Sequence, residues 1–196
     1  MSRIVDSVAM RRFTVEEYHR MAETGILGSD ERVELVRGVI REMSPKNRGH
    51  VIASDAICCL FRDALRGKAS VYQEAPLVAE GIDSEPEPDV MICSNPDRAA
   101  YGTPWTKPLL VIEVAESSLD YDLTEKSALY AEAGVPEYWV VNLAERVLVV
   151  FRELEKGGYR VRSSFAEKSR AAPTAWPELA FEVSSFLPPG PPDEGP

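Results

Sequence analysis

Residues 108–115 read Pro108-Leu109-Leu110-Val111-Ile112-Glu113-Val114-Ala115. A nearly continuous apolar run of this length, opened by a proline, suits a central strand covered on both faces. Toward the C-terminus, Asp122 to Ala133 reads as a helix stopped by Gly134 and Pro136, and Tyr138 to Val141 and Val147 to Phe151 read as two further strands. A helix between the Leu109 and Tyr138 strands makes those strands candidates for parallel neighbours, because parallel strands need a crossover. Toward the N-terminus, Asp89 to Cys93 and Val71 to Ala79 read as strands separated by the acidic, proline-bearing loop Glu80 to Pro88. Val51 to Leu65 places Ile52, Ala56, Cys59, Leu60 and Ala64 near helical spacing, with Gly67 as its C-cap. Arg32 to Ser44 reads as a hairpin turning at Arg37-Gly38, with Pro45 ending its second strand. Thr14-Val15-Glu16-Glu17 fits a capping box that opens a short helix ending near Gly25. Gly157-Gly158 turns into a last pair of strands. Strands surrounding two or three helices predict a mixed sheet of α/β or α+β type.

The chain has 196 residues, 44% apolar and 28% charged, which suits one globular domain with a sizeable core. That domain is expected over residues 1–187. Five of the nine residues from Pro188 to Pro196 are proline, so residues 188–196 are expected to be a disordered tail. No stretch approaches the roughly 20 consecutive apolar residues of a membrane-spanning helix, and no apolar run of signal-peptide length opens the chain, so a cytoplasmic protein without membrane partners is expected. The formal net charge of -10 is the wrong sign for gripping phosphate backbones over a wide face, though acids neutralised by a bound divalent metal escape that argument. The cysteines are Cys58, Cys59 and Cys93, too few and too badly spaced for a disulfide framework or a structural zinc site.

A carboxylate inside an apolar strand must be paired, metal-bound or at the sheet's end to escape a heavy desolvation cost, which singles out Glu113. Asp89 opens another apolar strand 24 residues earlier, a separation that lets adjacent strands bring the two carboxylates together. Such hard oxygen ligands select Mg²⁺ or Mn²⁺. A solvent-facing glutamate at a strand end is the competing reading. Lys126 falls on one helical face with Leu123, Tyr130 and Ala133, from which its ammonium could point back toward the strand ends and stabilise phosphoryl-transfer charge. Its alternative is an exposed pair with Asp122. Glu34, between Val33 and Leu35, reads alone as a solvent-facing strand residue, and His50 as an exposed or capping residue at a helix start. Cys58 and Cys59 read as core residues. No nucleophile elbow, Gly-rich phosphate loop or dinucleotide fingerprint is present.

Taken together, Arg32 to Gly38, Met43-Ser44-Pro45, His50, Glu87-Pro88-Asp89-Val90, Val111 to Ala115, Tyr121 to Lys126 and Leu129 to Val141 resemble the Uma-two restriction endonuclease domain of the PD-(D/E)XK nuclease superfamily. The resemblance spans about Phe13 to Phe186. It implies a restriction-endonuclease-like fold, a mixed central β-sheet flanked by helices, and metal-dependent hydrolysis of DNA phosphodiester bonds. Asp89 matches the motif's aspartate, Glu113 its second acid and Glu34 the acid of the early element. Ala115 stands where the superfamily pattern has lysine, and Lys126 on the following helix matches the displaced lysine. Leu123 and Asn142 stand where relatives commonly carry arginine and aspartate. The resemblance implies Asp89 and Glu113 as ligands of Mg²⁺ or Mn²⁺, with Glu34 assisting and Lys126 orienting water. A homodimer would suit cleavage of two strands. The alternatives are a catalytically inactive nuclease-fold binding domain accessory to a mobile-element or defence protein and, more remotely, a glycosidase carboxylate pair.

Overall fold

The computed structural model describes residues 10–94 and 107–190. The short first helix α1 (Val15–Glu23) starts where the capping box predicts: Thr14 Oγ1 accepts from Glu17 N at 3.2 Å and Glu17 Oε2 accepts from Thr14 N at 3.1 Å. Strands β1 (Val33–Val36) and β2 (Val39–Glu42) form a hairpin whose turn residues Arg37 and Gly38 both have positive φ, 49° and 74°. A Cβ on Gly38 would stand 2.5 Å from Arg12 Cβ, so no other residue fits this turn. Leu35 closes a small core with Val15 and Val78 and exchanges backbone hydrogen bonds with Glu85, which anchors the hairpin beside the segment leading to Asp89.

Helix α2 (Arg48–Ala64) and strands β3 (Ala69–Gln73), β4 (Val90–Ser94), β5 (Leu110–Ala115), β6 (Tyr138–Asn142), β7 (Val147–Glu155) and β8 (Gly158–Ala166) follow. The six strands form one sheet in the order β3-β4-β5-β6-β7-β8. Only β5 and β6 are parallel, joined through a helical crossover, as the apolar runs and the intervening helix predict; every other pair is antiparallel. All residues of β5 and β6 are buried. On one sheet face α2 brings Ile57 and Phe61 onto Trp139, Val141 and Phe186. On the other, the crossover segment brings Tyr130 and Val135 onto Tyr138, Val140 and Phe151. This is the mixed sheet flanked by helices expected from the sequence.

Several local expectations change. The buried stripe of α2 is Ala53, Ser54, Ile57, Cys58 and Phe61, one residue away from the Ile52, Ala56, Cys59, Leu60 series, and Cys59 is exposed. Strand β3 stops at Gln73 instead of running to Ala79, because Glu74 takes a left-handed φ of 50° and Pro76 offers no amide to a ladder. The crossover is not one regular helix: α3 (Leu119–Tyr121) runs into a π-helical turn over Asp122–Lys126 and then α4 (Ser127–Glu132). After Gly157-Gly158 one long strand, β8, pairs back on an extended β7, and the pair beyond it, β9 (Arg170–Ala171) and β10 (Phe181–Glu182), has two residues per strand. The expected tail over 188–196 lies outside the described residues from 191 onward; Pro188 belongs to the ordered fold, its carbonyl accepting from Arg146 Nη1 at 3.1 Å. Among the described residues no helix is long and apolar enough to cross a membrane.

Candidate active site

Extending the antiparallel β4/β5 register by one residue sets Asp89, just before β4, opposite Glu113 in β5. The backbone couples them reciprocally: Asp89 N donates to Glu113 Oε2 at 3.1 Å, and Val114 N donates to Asp89 Oδ2 at 2.8 Å. Lys126, carried by the π turn, donates to Glu113 Oε1 at 3.0 Å and to Glu34 Oε2 at 2.8 Å. The four residues anticipated from the sequence therefore meet in one cluster, and each is only 5% exposed. This overturns the solvent-facing alternatives for Glu34 and Glu113 and the surface pairing for Lys126. Glu34 turns inward with β1, which is buried from Glu34 to Val36 and held by its backbone bonds to Glu85, while its partner β2 stays largely exposed. The π turn places Asp122 and Lys126 together on the buried side, a use such turns commonly serve.

Other members of the cluster escaped the sequence reading. His50 Nε2 lies 3.0 Å from Asp89 Oδ2 and Lys46 Nζ donates to Asp89 Oδ1 at 2.8 Å, so the expectation of an exposed or purely capping His50 is corrected. A signal existed: α2 opens on Arg48 and His50 with no acid in its first turn, against the preference of a helix N-terminus for negative charge, and Asp89 supplies that charge from outside. Tyr130 donates its hydroxyl to Glu113 Oε1 at 2.6 Å, and Ser118 donates to Asp122 Oδ2 at 2.6 Å.

The electrostatics divide the two strand acids. Burial alone would raise Asp89, but His50 and Lys46 outweigh it and hold its carboxyl low, at about 2. Burial pushes Glu113 up to about 8; Lys126 pulls against that shift while Asp89 and Asp122 add to it. Burial also raises Asp122, to about 6. Lys126 is held well above the ordinary lysine range by Glu113 and Glu34, which overcome the effect of its burial, so it is a fixed cation.

The cluster forms the floor of a cleft of about 280 Å³, walled by Met43, Ser44 and Pro45 on one side and by Ser117, Ser118 and Tyr121 on another. Among the described residues no three acids, histidines or cysteines converge as a closed metal cage. Mg²⁺ does not require one, since it is commonly held by one or two carboxylates with waters and substrate phosphates completing the shell. Among the described residues, Asp89 Oδ1 and Glu113 Oε2 each accept a single hydrogen bond, from Lys46 and from the Asp89 amide, which leaves a lone pair on each for a cation. The donor set therefore fits a hard divalent ion, with Lys46 as the group that must share or yield Asp89.

A mixed sheet that presents two acids on neighbouring strands, met by a lysine from the crossover, has the restriction-endonuclease-like architecture. The Uma2 family model, described as "Putative restriction endonuclease", matches residues 15–185, and the chain belongs to that family. Among solved structures, a protein from Anabaena variabilis, described as a "putative nuclease belonging to DUF820", superposes with a TM-score of 0.73 at 13% identity, over 89% of this chain and 97% of that one, which shows a shared fold. The type IIG restriction endonuclease BpuSI aligns with a TM-score of 0.39 at 18% identity, over 56% of this chain and 12% of that one, a likeness too slight to carry an argument. No curated protein matches the chain. The two departures from the family pattern fall outside the acid cluster: Leu123 packs into the core under the crossover, and Asn142 caps the β6–β7 turn, accepting from Glu145 N at 3.1 Å.

Proposed function

We propose that the protein is a Mg²⁺- or Mn²⁺-dependent endonuclease that hydrolyses phosphodiester bonds in DNA. The observation that supports it most is the placement of Asp89 and Glu113 on neighbouring strands with Lys126 Nζ 3.0 Å from Glu113, all inside one cleft. Asp89 and Glu113 would hold the cation, which when bound supplies a Lewis acid that activates water and neutralises phosphate charge. Seven carboxylates line the cleft among the described residues, so an anionic substrate needs such neutralisation to enter. An ammonium has three N–H donors; Lys126 spends two on Glu34 and Glu113, which leaves the third for the attacking water or a phosphate oxygen. Held protonated, Lys126 acts by orientation and charge and not as a base. Glu34 fixes the ammonium from the opposite side. Tyr130 and the Asp89 amide fix the Glu113 carboxylate. Cutting both strands of a duplex would take two such sites, as in a homodimer, or two visits.

The test is a calorimetric titration of Mn²⁺ into the wild-type protein and into Asp89→Asn. Binding in the first and its loss in the second is the expected result; identical behaviour of the two would remove the metal assignment. A second reading, a nuclease-fold binding domain without catalysis, draws on Lys46: its ammonium on Asp89 neutralises that acid without any metal. Identical calorimetry for the two proteins would favour it.

A further inference from the structure

Among the described residues three side-chain ammonium or guanidinium groups line the acid-rich cleft, and two of them are committed. Lys126 is bound to Glu34 and Glu113, and Lys46 to Asp89 and Glu74. The third, Arg41, makes no ion pair among the described residues, although Glu34 is its register partner across the β1/β2 hairpin. Its guanidinium carbon instead stands 4.2 Å from the centroid of the Tyr121 ring. Tyr121 comes immediately before the π turn that carries Asp122 and Lys126, so this stacked pair bridges the two walls of the cleft beside the acid cluster. The Tyr121 hydroxyl is itself buried and has no hydrogen-bond partner among the described residues. Burial, with Glu34 adding to it, pushes that phenol up to about 12, so it remains a donor throughout the neutral range.

We infer that Arg41, braced on the face of Tyr121, is the residue that grips a phosphate of the nucleic-acid strand entering the cleft; this rests on the nuclease reading above. A guanidinium stacked on an aromatic ring keeps its N–H donors in the exposed plane, where they match two oxygens of a phosphate. Stacking also fixes that plane in advance, so little side-chain freedom remains to be lost on binding. The net charge of -10 makes a localised contact of this kind the more necessary, because the chain as a whole repels a polyanion. Arg41 is a substrate-binding residue in this account, the cross-strand partner of Glu34, which in turn holds Lys126 beside Glu113.

The test measures binding of a fluorescein-labelled DNA duplex by anisotropy across a salt series, in Ca²⁺, for the wild-type chain, Arg41→Ala, Arg41→Lys and Tyr121→Leu, alongside Mg²⁺-dependent cleavage. Arg41 is exposed, so its variants keep the fold, which circular dichroism checks. Arg41→Ala is expected to weaken binding and to flatten the slope of log affinity against log salt by about 0.9, the loss of one phosphate contact on duplex DNA. Arg41→Lys and Tyr121→Leu are expected to weaken binding while the slope stays near wild type, because the charge remains and the fork or its brace is lost. A wild type that binds and cuts DNA beside an Arg41→Ala variant with unchanged affinity and slope would overturn this inference and leave the nuclease reading standing. A wild type that neither binds nor cuts DNA would overturn the nuclease reading, and this inference with it.

Discussion

Replacing Lys126 with methionine keeps the aliphatic stem and removes the ammonium, leaving the carboxylates of Glu34 and Glu113 buried without the cation that lies 2.8 and 3.0 Å from them. Breaking a buried ion pair by removing one partner costs about 3–5 kcal/mol, since the remaining charge is uncompensated. For a chain of this size each kcal/mol moves the melting temperature by about 2–4 °C, so Lys126→Met is expected to melt about 6–20 °C below the wild type at pH 8 in EDTA. The deficit also has a predicted pH dependence. Glu113 is already raised by burial to about 8, above its unfolded value, so the folded state holds a proton that the unfolded state releases between those two values. A group of this kind stabilises the fold fully below its unfolded pKa, and that stability is lost as pH rises through the folded one. Without Lys126 the carboxyl rises further and takes up a proton even at pH 8; binding that proton costs free energy there and progressively less toward pH 5, so the deficit shrinks on acidification. Differential scanning calorimetry across that pH range measures both. A loss under about 2 °C at pH 8, less than one kcal/mol of coupling, or a deficit that grows on acidification, would refute the reasoning.

Glu137 is 2% exposed and accepts from Trp139 Nε1 at 2.7 Å, Arg152 Nε at 2.7 Å and Thr174 N at 2.6 Å, joining β6, β7 and the segment leading to β10. Glu137→Ala is therefore expected to cost about 3–5 kcal/mol in urea unfolding without altering the cleft. Lys46→Met is expected to tighten Mn²⁺ binding in calorimetry, because the ammonium no longer shares Asp89 Oδ1; weaker binding would contradict the assigned competition. At neutral pH a maleimide is expected to label Cys59, which is exposed, and to spare Cys58, whose thiol is buried in α2 and raised to about 11; mass spectrometry of the labelled peptide reads the outcome.

The parts of the fold visible in the sequence are those whose patterns are local. The run from Leu110 to Ala115 announces a strand covered on both faces, the crossover predicts its parallel partner, and Arg37-Gly38 marks a turn that needs two positive φ angles. The stripe of α2 was ambiguous because apolar residues circle much of that helix, so two stripes one residue apart both have helical spacing and only packing on Trp139 and Phe186 decides between them. The left-handed Glu74 that ends β3 and the π turn at Asp122–Lys126 carry no strong local signature. At the site, Glu113 stood out because an acid in an apolar strand is costly. His50 and Lys46 did not, because their meaning depends on Asp89, 39 and 43 residues away along the chain. The burial of Glu34 likewise follows from where the hairpin docks, a tertiary fact that the alternation of Val33 and Leu35 cannot express.

The central claim is that Asp89, Glu113 and Lys126 form a metal-dependent phosphodiesterase centre. Its most direct test follows cleavage of supercoiled plasmid DNA by the wild type and by Glu113→Gln, each with Mg²⁺, with Mn²⁺ and with EDTA. Gln keeps the shape of Glu113 and an oxygen for Tyr130 while the carboxylate ligand is lost, and circular dichroism checks that the variant is folded. The account predicts nicked and linear products from the wild type only when metal is present, and none from Glu113→Gln. Cleavage that survives EDTA, or that persists in Glu113→Gln at the wild-type rate, would contradict it.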